Sequence, residues 1–494
     1  MKLSLLLTCA FICLLLAPAS RAAEEPADAQ ALRNEIDALR QQLEAQKRDY
    51  DARLQLLRQA LDKLAAQQPV RHQLPEEAPA EPDLEALLQQ LQQPPEEHRP
   101  GIDWGRAFQS FNPDISVIID TFYHHDDSEE GISHVLGGID GFGHSHGHEG
   151  HHHAETENGF NLRHLELYLG AEVDPYFKAW AIPAISEEGA ELEEAVIQTT
   201  GLPYGLQVKA GKFFSEFCRV NAQHSHEWDF VDAPLINQLV FGDHGLNDKG
   251  VQLSWLAPTD VPLTLALEAF QGDNETMFSH VGGDELPDRS GPRVLVQWLK
   301  LAPEIGGNHG IQFGGFHGSG VHQEAHDGDG DGVEDHWLDG TSLFWGGDVV
   351  YKYDSPAAHE QGDVVLQGEY LSRRRDLNVE NHALAPAVIG NNRVDQQDGI
   401  YLQGTYGFLP RWRAGARWDL AGITNKQKLP DGTAESFDDS NRYTGMIDWT
   451  LTEFSRLRFQ VSQGRYAAEG EKDKVTQFFL QLMVSLGSHG AHKF

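Results

Sequence analysis

From Ile115 onward, apolar and polar residues alternate with a period of two over much of the chain. This period places successive side chains on opposite faces of a β-strand. It predicts about 16 strands of roughly ten residues, each with one apolar and one polar face. The clearest examples are the segments 165–169, 263–269, 412–418, 457–461 and 478–486.

The connections between these strands alternate in length. Turns such as Val173–Tyr176 and Leu409–Pro410 are short, and the intervening loops are long. Bacterial membrane barrels have short periplasmic turns and long external loops, so we expect a closed barrel with both chain ends in the periplasm. A soluble sandwich would carry Lys and Glu on its outer face, where many of these strands have Gly or Tyr. The predicted long loops are 124–160, 215–248, 271–291, 319–340, 374–397 and 422–440.

Residues 1–22 have the pattern of a secretory signal peptide. Lys2 precedes an apolar run, and Ser20-Arg21-Ala22 offers a small-x-small cleavage site. Removing this segment leaves Cys218 as the single cysteine, which excludes an internal disulfide. No later stretch approaches the roughly 20 apolar residues of a membrane helix.

A helical pattern follows the signal peptide. Apolar positions recur at spacings of three and four through residues 23–67, which predicts a periplasmic coiled coil and favours a homotrimer. Residues 68–110 are rich in Pro and Glu and predict a linker. The all-β transmembrane barrel is expected to occupy residues 111–494, in the bacterial outer membrane and surrounded by its lipid.

The formal net charge of −37 excludes a nucleic-acid partner and favours attraction of cations. The sequence contains no Ser/His/Asp or Cys/His arrangement with interpretable spacing, and no phosphate-binding glycine loop. We therefore do not expect an enzyme.

Nine of the 25 histidines lie between His124 and His153. Imidazole suits borderline divalent metals, and a run this dense has no packing period. The first long loop is therefore predicted to capture metal ions, with Zn²⁺ as the expected ion, although a solvated polar loop would have the same composition. The proposed ligands in this run are His144, His146, His148, His151, His152 and His153.

Two later loops also combine histidines and acids. In the third loop, His224, His226, Glu227 and Asp229 would meet permeating ions, or alternatively would anchor the loop to the barrel wall. The fifth loop offers a mixed zinc site or a Ca²⁺ site over residues 327–335, because Asp at positions one, three and five with Gly at six opens a calcium loop. Leu338 at position twelve excludes an EF-hand, and a solvated acidic tip is a further alternative. The fifth-loop candidates are His322, His326, Asp327, Asp329, Asp331 and His336.

A series of arginines lies on one face of neighbouring predicted strands. Facing acidic loops, such a series would create a field across a pore, although long polar side chains also simply fill a lumen. An anion pore is a further alternative on this feature alone. The predicted pore-lining residues are Arg411, Arg413, Arg417, Arg456 and Arg458.

Together, the leader, helical stalk, tether, 16 strands and terminal Phe494 resemble the trimeric phosphate-selective porin superfamily. Phe230–Pro234 and Gly242–Gly250 resemble segments of a His-rich, zinc-regulated group of outer-membrane proteins, sometimes labelled TonB-dependent receptors. The resemblance implies a trimer and a third loop folded into the lumen.

Two departures from these families limit the resemblance. The third loop lacks the lysine cluster of a phosphate-selective pore. The roughly 90 residues before the barrel leave no room for a receptor plug, and 16 strands fall short of the roughly 22 strands typical of such receptors.

The sequence therefore predicts a porin-like channel for divalent metal ions, with His/Asp loops that concentrate the ion outside. Two other classes of protein stay open. One is a surface metal-binding or adhesion barrel without transport, and the other is a general or anionic-solute porin.

Overall fold

The computed structural model describes residues 114–142, 156–187, 189–274, 276–282, 286–326, 336–468 and 470–487. The predicted signal peptide, coiled coil and linker lie outside the described residues and stay predictions.

Sixteen strands pair in chain order, and β1 pairs with both β2 and β17, which closes an antiparallel barrel. The strands of one half are β1 (Asp114–Asp126), β2 (Gly159–Asp174), β3 (Phe177–Ile185), β4 (Ala190–Thr199), β5 (Leu206–Phe214), β6 (Asn247–Leu256), β7 (Leu263–Phe270) and β8 (Val294–Leu301). Those of the other half are β9 (His309–His326), β10 (His336–Tyr353), β11 (Val364–His382), β12 (Asn392–Leu409), β13 (Trp412–Lys428), β15 (Ser440–Thr452), β16 (Ser455–Ala468) and β17 (Glu471–Gly487). The short β14 (Ala434–Ser436) extends the β13 hairpin and is not part of the wall.

The described helices are short. They are α1 (Ile132–Gly137), α2 (Leu235–Phe241) and the 3₁₀ turns Pro203–Gly205, Ser225–Glu227 and Pro386–Val388. None of these helices combines the length and apolar character needed to cross a membrane.

The closed 16-strand barrel confirms the strand count predicted from the alternation, but three loops are shorter than expected. One of them is the predicted loop 422–440, because β13 continues to Lys428. The strands β9 and β10 continue to His326 and His336, and β11 and β12 continue to His382 and Asn392. In these extensions both faces of the hairpins carry polar residues, so the alternation that predicts strands disappears although backbone pairing continues.

The outer wall of the barrel is apolar. Large side chains such as Leu366, Leu402, Ile447, Phe459 and Leu482 are exposed on it. The inward positions of the same strands are polar and mostly buried. An apolar exterior around a polar interior is the arrangement of an outer-membrane barrel.

Leu482 lies near the middle of the apolar band on β17 and is exposed on the outer wall. We expect Leu482→Arg to destabilise the barrel in lipid by about 2–4 kcal/mol, because the guanidinium would face hydrocarbon. Equilibrium unfolding from phospholipid vesicles measures this difference. Lys474→Arg, near the long-loop end of the same strand, is the control, and equal stability of the two variants would contradict the lipid-facing assignment.

Two loops, called L1 and L3, pack into the barrel interior, L1 through its residues 127–142. L1, the connection 127–158, contributes α1, and L3, the connection 215–246, contributes α2. Phe217 of L3 contacts Phe241 of α2, Phe316 of β9 and Phe344 of β10, with ring centroids 4.9–5.2 Å apart. Ile132 and Phe142 of L1 belong to the same apolar cluster. The interior is therefore a packed core on the side of β9 and β10.

Candidate metal centre in the lumen

The wall contributes histidine and glutamate side chains from two strands. His164 and Glu166 are separated by one residue on β2, and both are buried on its inner face. On β4 the register shifts at Glu193, because Ile182 pairs with Glu194 while Pro183 pairs with Leu192. A β-bulge of this kind re-aims side chains, and here two consecutive glutamates reach the same imidazole.

L3 supplies the second half of this cluster. His224 begins the 3₁₀ turn Ser225–Glu227, and the Glu227 carboxylate accepts a hydrogen bond from the His224 backbone N–H at 3.3 Å. The turn brings the His224 and His226 rings into a stacked arrangement with centroids 5.6 Å apart. Both rings then face the glutamates of the wall.

Glu166 joins two groups of potential ligands. Its Oε1 lies 2.7 Å from Nε2 of His164 and 3.1 Å from Nδ1 of His226. Its Oε2 lies 3.6 Å from Nδ1 of His224, and that same nitrogen lies 2.8 Å from Oε2 of Glu193. The first group is His164, Glu166 and His226, and the second is Glu166, Glu193 and His224. In each group the potential ligand atoms lie within 4.8 Å of one another, and the Glu166 carboxylate belongs to both groups.

The carboxylates of the cluster stabilise positive charge, which without a metal is a proton on His224 that a bound ion would displace. Burial alone would lower the pKa of His224, but hydrogen bonds to Glu193 and Glu194 and the charge of Glu166 raise it well above its ordinary value. Imidazole nitrogens with carboxylate oxygens are the donor set that Zn²⁺ accepts, and three such ligands leave a position open for water or exchange. The residues present therefore fit a divalent ion of this class.

The four L3 residues predicted from the sequence separate into two pairs. His224 and His226 join the cluster. Glu227 caps the turn, and Asp229 contacts the opposite wall, where its Oδ1 lies 3.1 Å from Nη1 of Arg413.

The predicted arginine series faces L3 rather than open water. Arg456 donates a hydrogen bond to the His226 carbonyl at 2.8 Å, and Arg458 donates one to the Trp228 carbonyl at 3.1 Å. Arg417 contacts Asp232. Arg411 differs, because it lies in the turn before β13 and donates to the Leu451 carbonyl there.

Asp232 is an anchoring residue that the sequence did not reveal. Its carboxylate lies 2.9 Å from Nη2 of Arg417 and 2.6 Å from Nη1 of Arg442, and Gln460 donates a hydrogen bond to it at 2.7 Å. Burial would raise the pKa of Asp232, but the two arginines hold it well below its usual range. L3 therefore crosses the lumen from the cluster on β2 and β4 to the arginines of β13–β16.

None of the other predicted ligands that the structure describes joins this cluster. The run His144–His153 and Asp327, Asp329 and Asp331 are outside the described residues, as is the side chain of His326. His322 is buried, with Nε2 at 2.8 Å from Oε1 of Glu324, and His336 stacks on His382 with ring centroids 4.3 Å apart. His382 was not predicted, since only the strand register places it opposite His336.

The gap between L3 and the wall is narrow. Beside Asp229 and Asp232 it encloses about 10 Å³, which is close to the space that one water molecule occupies. In this position L3 leaves no room there for an organic solute.

Solved structures of similar architecture include outer-membrane proteins. The trimer form of OmpT of Vibrio cholerae is 12% identical, with 76% of this chain and 99% of that chain covered and a TM-score of 0.45. The outer-membrane channel DcaP of Acinetobacter baumannii is 13% identical, with 76% and 96% covered and a TM-score of 0.44. The anion-selective porin of Comamonas acidovorans is 11% identical, with 76% and 99% covered and a TM-score of 0.43. The assignment of the fold rests on the strand pairing of this chain itself.

No family model matches the sequence. An uncharacterized protein of Aquifex aeolicus (strain VF5) is 35% identical over 401 residues, which cover 78% of this chain and 81% of that protein. Identity of this extent over most of both sequences shows that the chain belongs to the family of the Aquifex aeolicus protein.

Proposed function

We propose that the protein is a porin-like outer-membrane channel for divalent metal ions, with Zn²⁺ as the preferred ion. The observation that carries this proposal is the cluster in which His164 and Glu166 of the wall meet His224 and His226 of L3 inside the lumen. A permeating ion would exchange water for these ligands at the level where L3 crosses the barrel.

The packing around L3 favours a small ion over a larger solute. The apolar core fills the side of β9 and β10, and arginine–carbonyl contacts join L3 to the opposite wall. A general porin needs a wide aqueous path, whereas an ion needs one coordination site and a short route past it. The acidic composition of the chain adds attraction for cations.

The external loops would act before the lumenal cluster. We propose that His144–His153 concentrates Zn²⁺ at the mouth, and that His326, His336 and the acids at 327, 329 and 331 hold Zn²⁺ or Ca²⁺ in the fifth loop. His322 does not join this site, because it is buried within β9 with both ring nitrogens hydrogen-bonded. Many weak ligands raise the local ion concentration without trapping the ion, which suits delivery to a deeper site.

The assembly that we propose is a homotrimer in outer-membrane lipid, joined in the periplasm by the coiled coil at residues 23–67. This part of the proposal depends on the heptad pattern of the sequence.

Zinc permeation through reconstituted protein tests the proposal. In planar bilayers with a zinc gradient, wild type should show a reversal potential set by Zn²⁺, and His226→Ala should shift it toward that of the background salt. His244→Ala is the matched control, because His244 is an exposed histidine of the same loop outside the cluster. An equal shift of the reversal potential in both variants would contradict the proposal that the cluster determines zinc selectivity.

The role of the first loop is tested separately. Deletion of residues 143–153 should slow zinc flux at low external zinc and leave flux at high zinc unchanged, because the loop acts by raising the local concentration. Vesicle uptake measured with a zinc-sensitive dye distinguishes these cases. If the reconstituted barrel carries no ionic current, the alternative of a surface metal-binding protein without transport is favoured.

A further inference from the structure

Arg373 is a buried cation that the metal proposal does not use. It lies on the inner face of β11 and is only 2% exposed. The Gln397 side-chain oxygen accepts hydrogen bonds from its Nε at 3.1 Å and its Nη2 at 3.0 Å. The Phe142 ring of L1 covers it, with the guanidinium carbon 5.4 Å from the ring centroid.

The carboxylates near Arg373 are already paired with other arginines. Glu324 lies 2.8 Å from Nη1 of Arg375 and 3.4 Å from Nη1 of Arg393, and Asp395 lies 3.2 Å from Nε of Arg393. Among the described residues Arg373 forms no ion pair. Among the described side chains of this patch, three guanidinium groups therefore share two carboxylates. A buried charge without a counter-ion is strongly unfavourable.

The same patch contains hydrogen-bond donors without acceptors. Nη1 of Arg373, Nε2 of Gln397 and Nε of Arg375 are buried and have no partner among the described residues. Arg373 and Gln397 are direct neighbours across β11 and β12. Unused N–H groups beside an excess positive charge require a ligand that accepts hydrogen bonds and is negative.

We propose that Arg373, with Gln397 beside it, binds a small monovalent anion, with chloride as the first candidate. A single-atom or similarly small ion is favoured because the donor atoms are buried and the Phe142 ring covers the guanidinium of Arg373. The site shares no residue with the His/Glu cluster, so the two proposals can be tested independently.

The bound anion would hold L1 against the wall. The Gly141 carbonyl accepts a hydrogen bond from Arg373 at 3.4 Å, and Asn425 donates one to the Asp140 carbonyl at 2.8 Å. L1 is thus the cover of the proposed site. Neutralising Arg373 removes the charge buried beneath Phe142, so anion binding and docking of L1 should stabilise each other.

Bromide provides the direct test, because its anomalous scattering locates it in crystals of the full-length protein. Bromide should appear beside Arg373 in wild type and in Arg374→Gln, and should be lost in Arg373→Gln. Arg374 is the matched control, since it lies on the outer face of the same strand and pairs with Asp376 at 3.5 Å. A water molecule, or no density, beside Arg373 in wild-type crystals would overturn the proposal.

Hydrogen exchange supplies a test that does not require the variant to fold. Amides of residues 132–142 in wild-type protein should exchange several-fold more slowly in sodium chloride than in sodium gluconate at equal ionic strength. Exchange rates that are the same in both salts would also overturn the proposal.

Discussion

Replacing Glu166 by glutamine should weaken zinc binding in the lumen by at least about 100-fold, the upper range for supporting groups that do not touch the metal. The carboxylate contacts His164, His226 and His224, so both ligand groups lose their shared member. An amide of the same shape donates rather than accepts on one side and carries no charge. Zinc titration of the purified barrel by calorimetry measures the change.

The control for this substitution is Glu227→Gln. Glu227 also lies beside the histidines, and its carboxylate accepts the hydrogen bond from the His224 backbone N–H that caps the turn. It should change zinc affinity far less than Glu166→Gln. Equal losses would mean that the metal responds to the general negative charge of the region, and would contradict the assignment of Glu166 as a shared ligand.

The second large effect is expected for Asp232→Asn. The substitution leaves Arg417 and Arg442 with one carboxylate, Asp419, where wild type has two. Breaking a buried pair of this kind costs about 3–5 kcal/mol. L3 should detach from the wall of β13–β16, and single-channel conductance should rise because the lumen widens there.

Asp243→Asn is the matched control, because Asp243 is an exposed acid of the same loop. It should leave conductance unchanged. If Asp232→Asn also leaves conductance at the wild-type level, the ion pairs do not hold L3 in place.

The pH dependence of L3 anchoring follows from the same ion pairs. A carboxylate with a depressed pKa contributes stability that is complete above its unfolded value, about 4, and is lost as the pH falls through the folded value. Since Arg417 and Arg442 hold the pKa of Asp232 well below its usual range, conductance of wild type should not change through this group between neutral pH and about pH 4. Recordings over this range in wild type and Asp232→Asn check the expectation. A conductance step near pH 6 that is present in wild type and absent from Asp232→Asn would contradict it.

Strand pairing was the part of this molecule most open to prediction. An outer face in lipid and a polar inner face impose a strict period of two. Strands such as the segment 478–486 can therefore be recognised from the sequence alone. The extensions of β9–β12 beyond the apolar band lack that constraint. Their bounds could be found only from the pairing of the backbones.

Two of the five candidate ligands in the metal cluster could be predicted, and the three from the wall could not. His224 and His226 stand out in a polar loop. His164 and Glu166 look like ordinary polar positions of an alternating strand, although a His-x-Glu pair on a lumenal face is a usable signal. Glu193 and Glu194 could not be assigned together, because consecutive strand residues face opposite sides unless a bulge intervenes.

The contacts of the lumenal arginines could not be predicted from the sequence. Their common inner face follows from alternation, but their partners are backbone carbonyls of His226 and Trp228 and the carboxylate of Asp232, about 200 residues away in sequence. No local pattern encodes such contacts.

The central claim is that a divalent ion binds inside the barrel, between L3 and the wall. Anomalous diffraction at the zinc absorption edge, on crystals of the full-length protein grown with zinc, tests it most directly. We predict a zinc peak in contact with Glu166 and His226, or with Glu166 and His224. Zinc bound to the external loops, with no peak at Glu166, would contradict the claim.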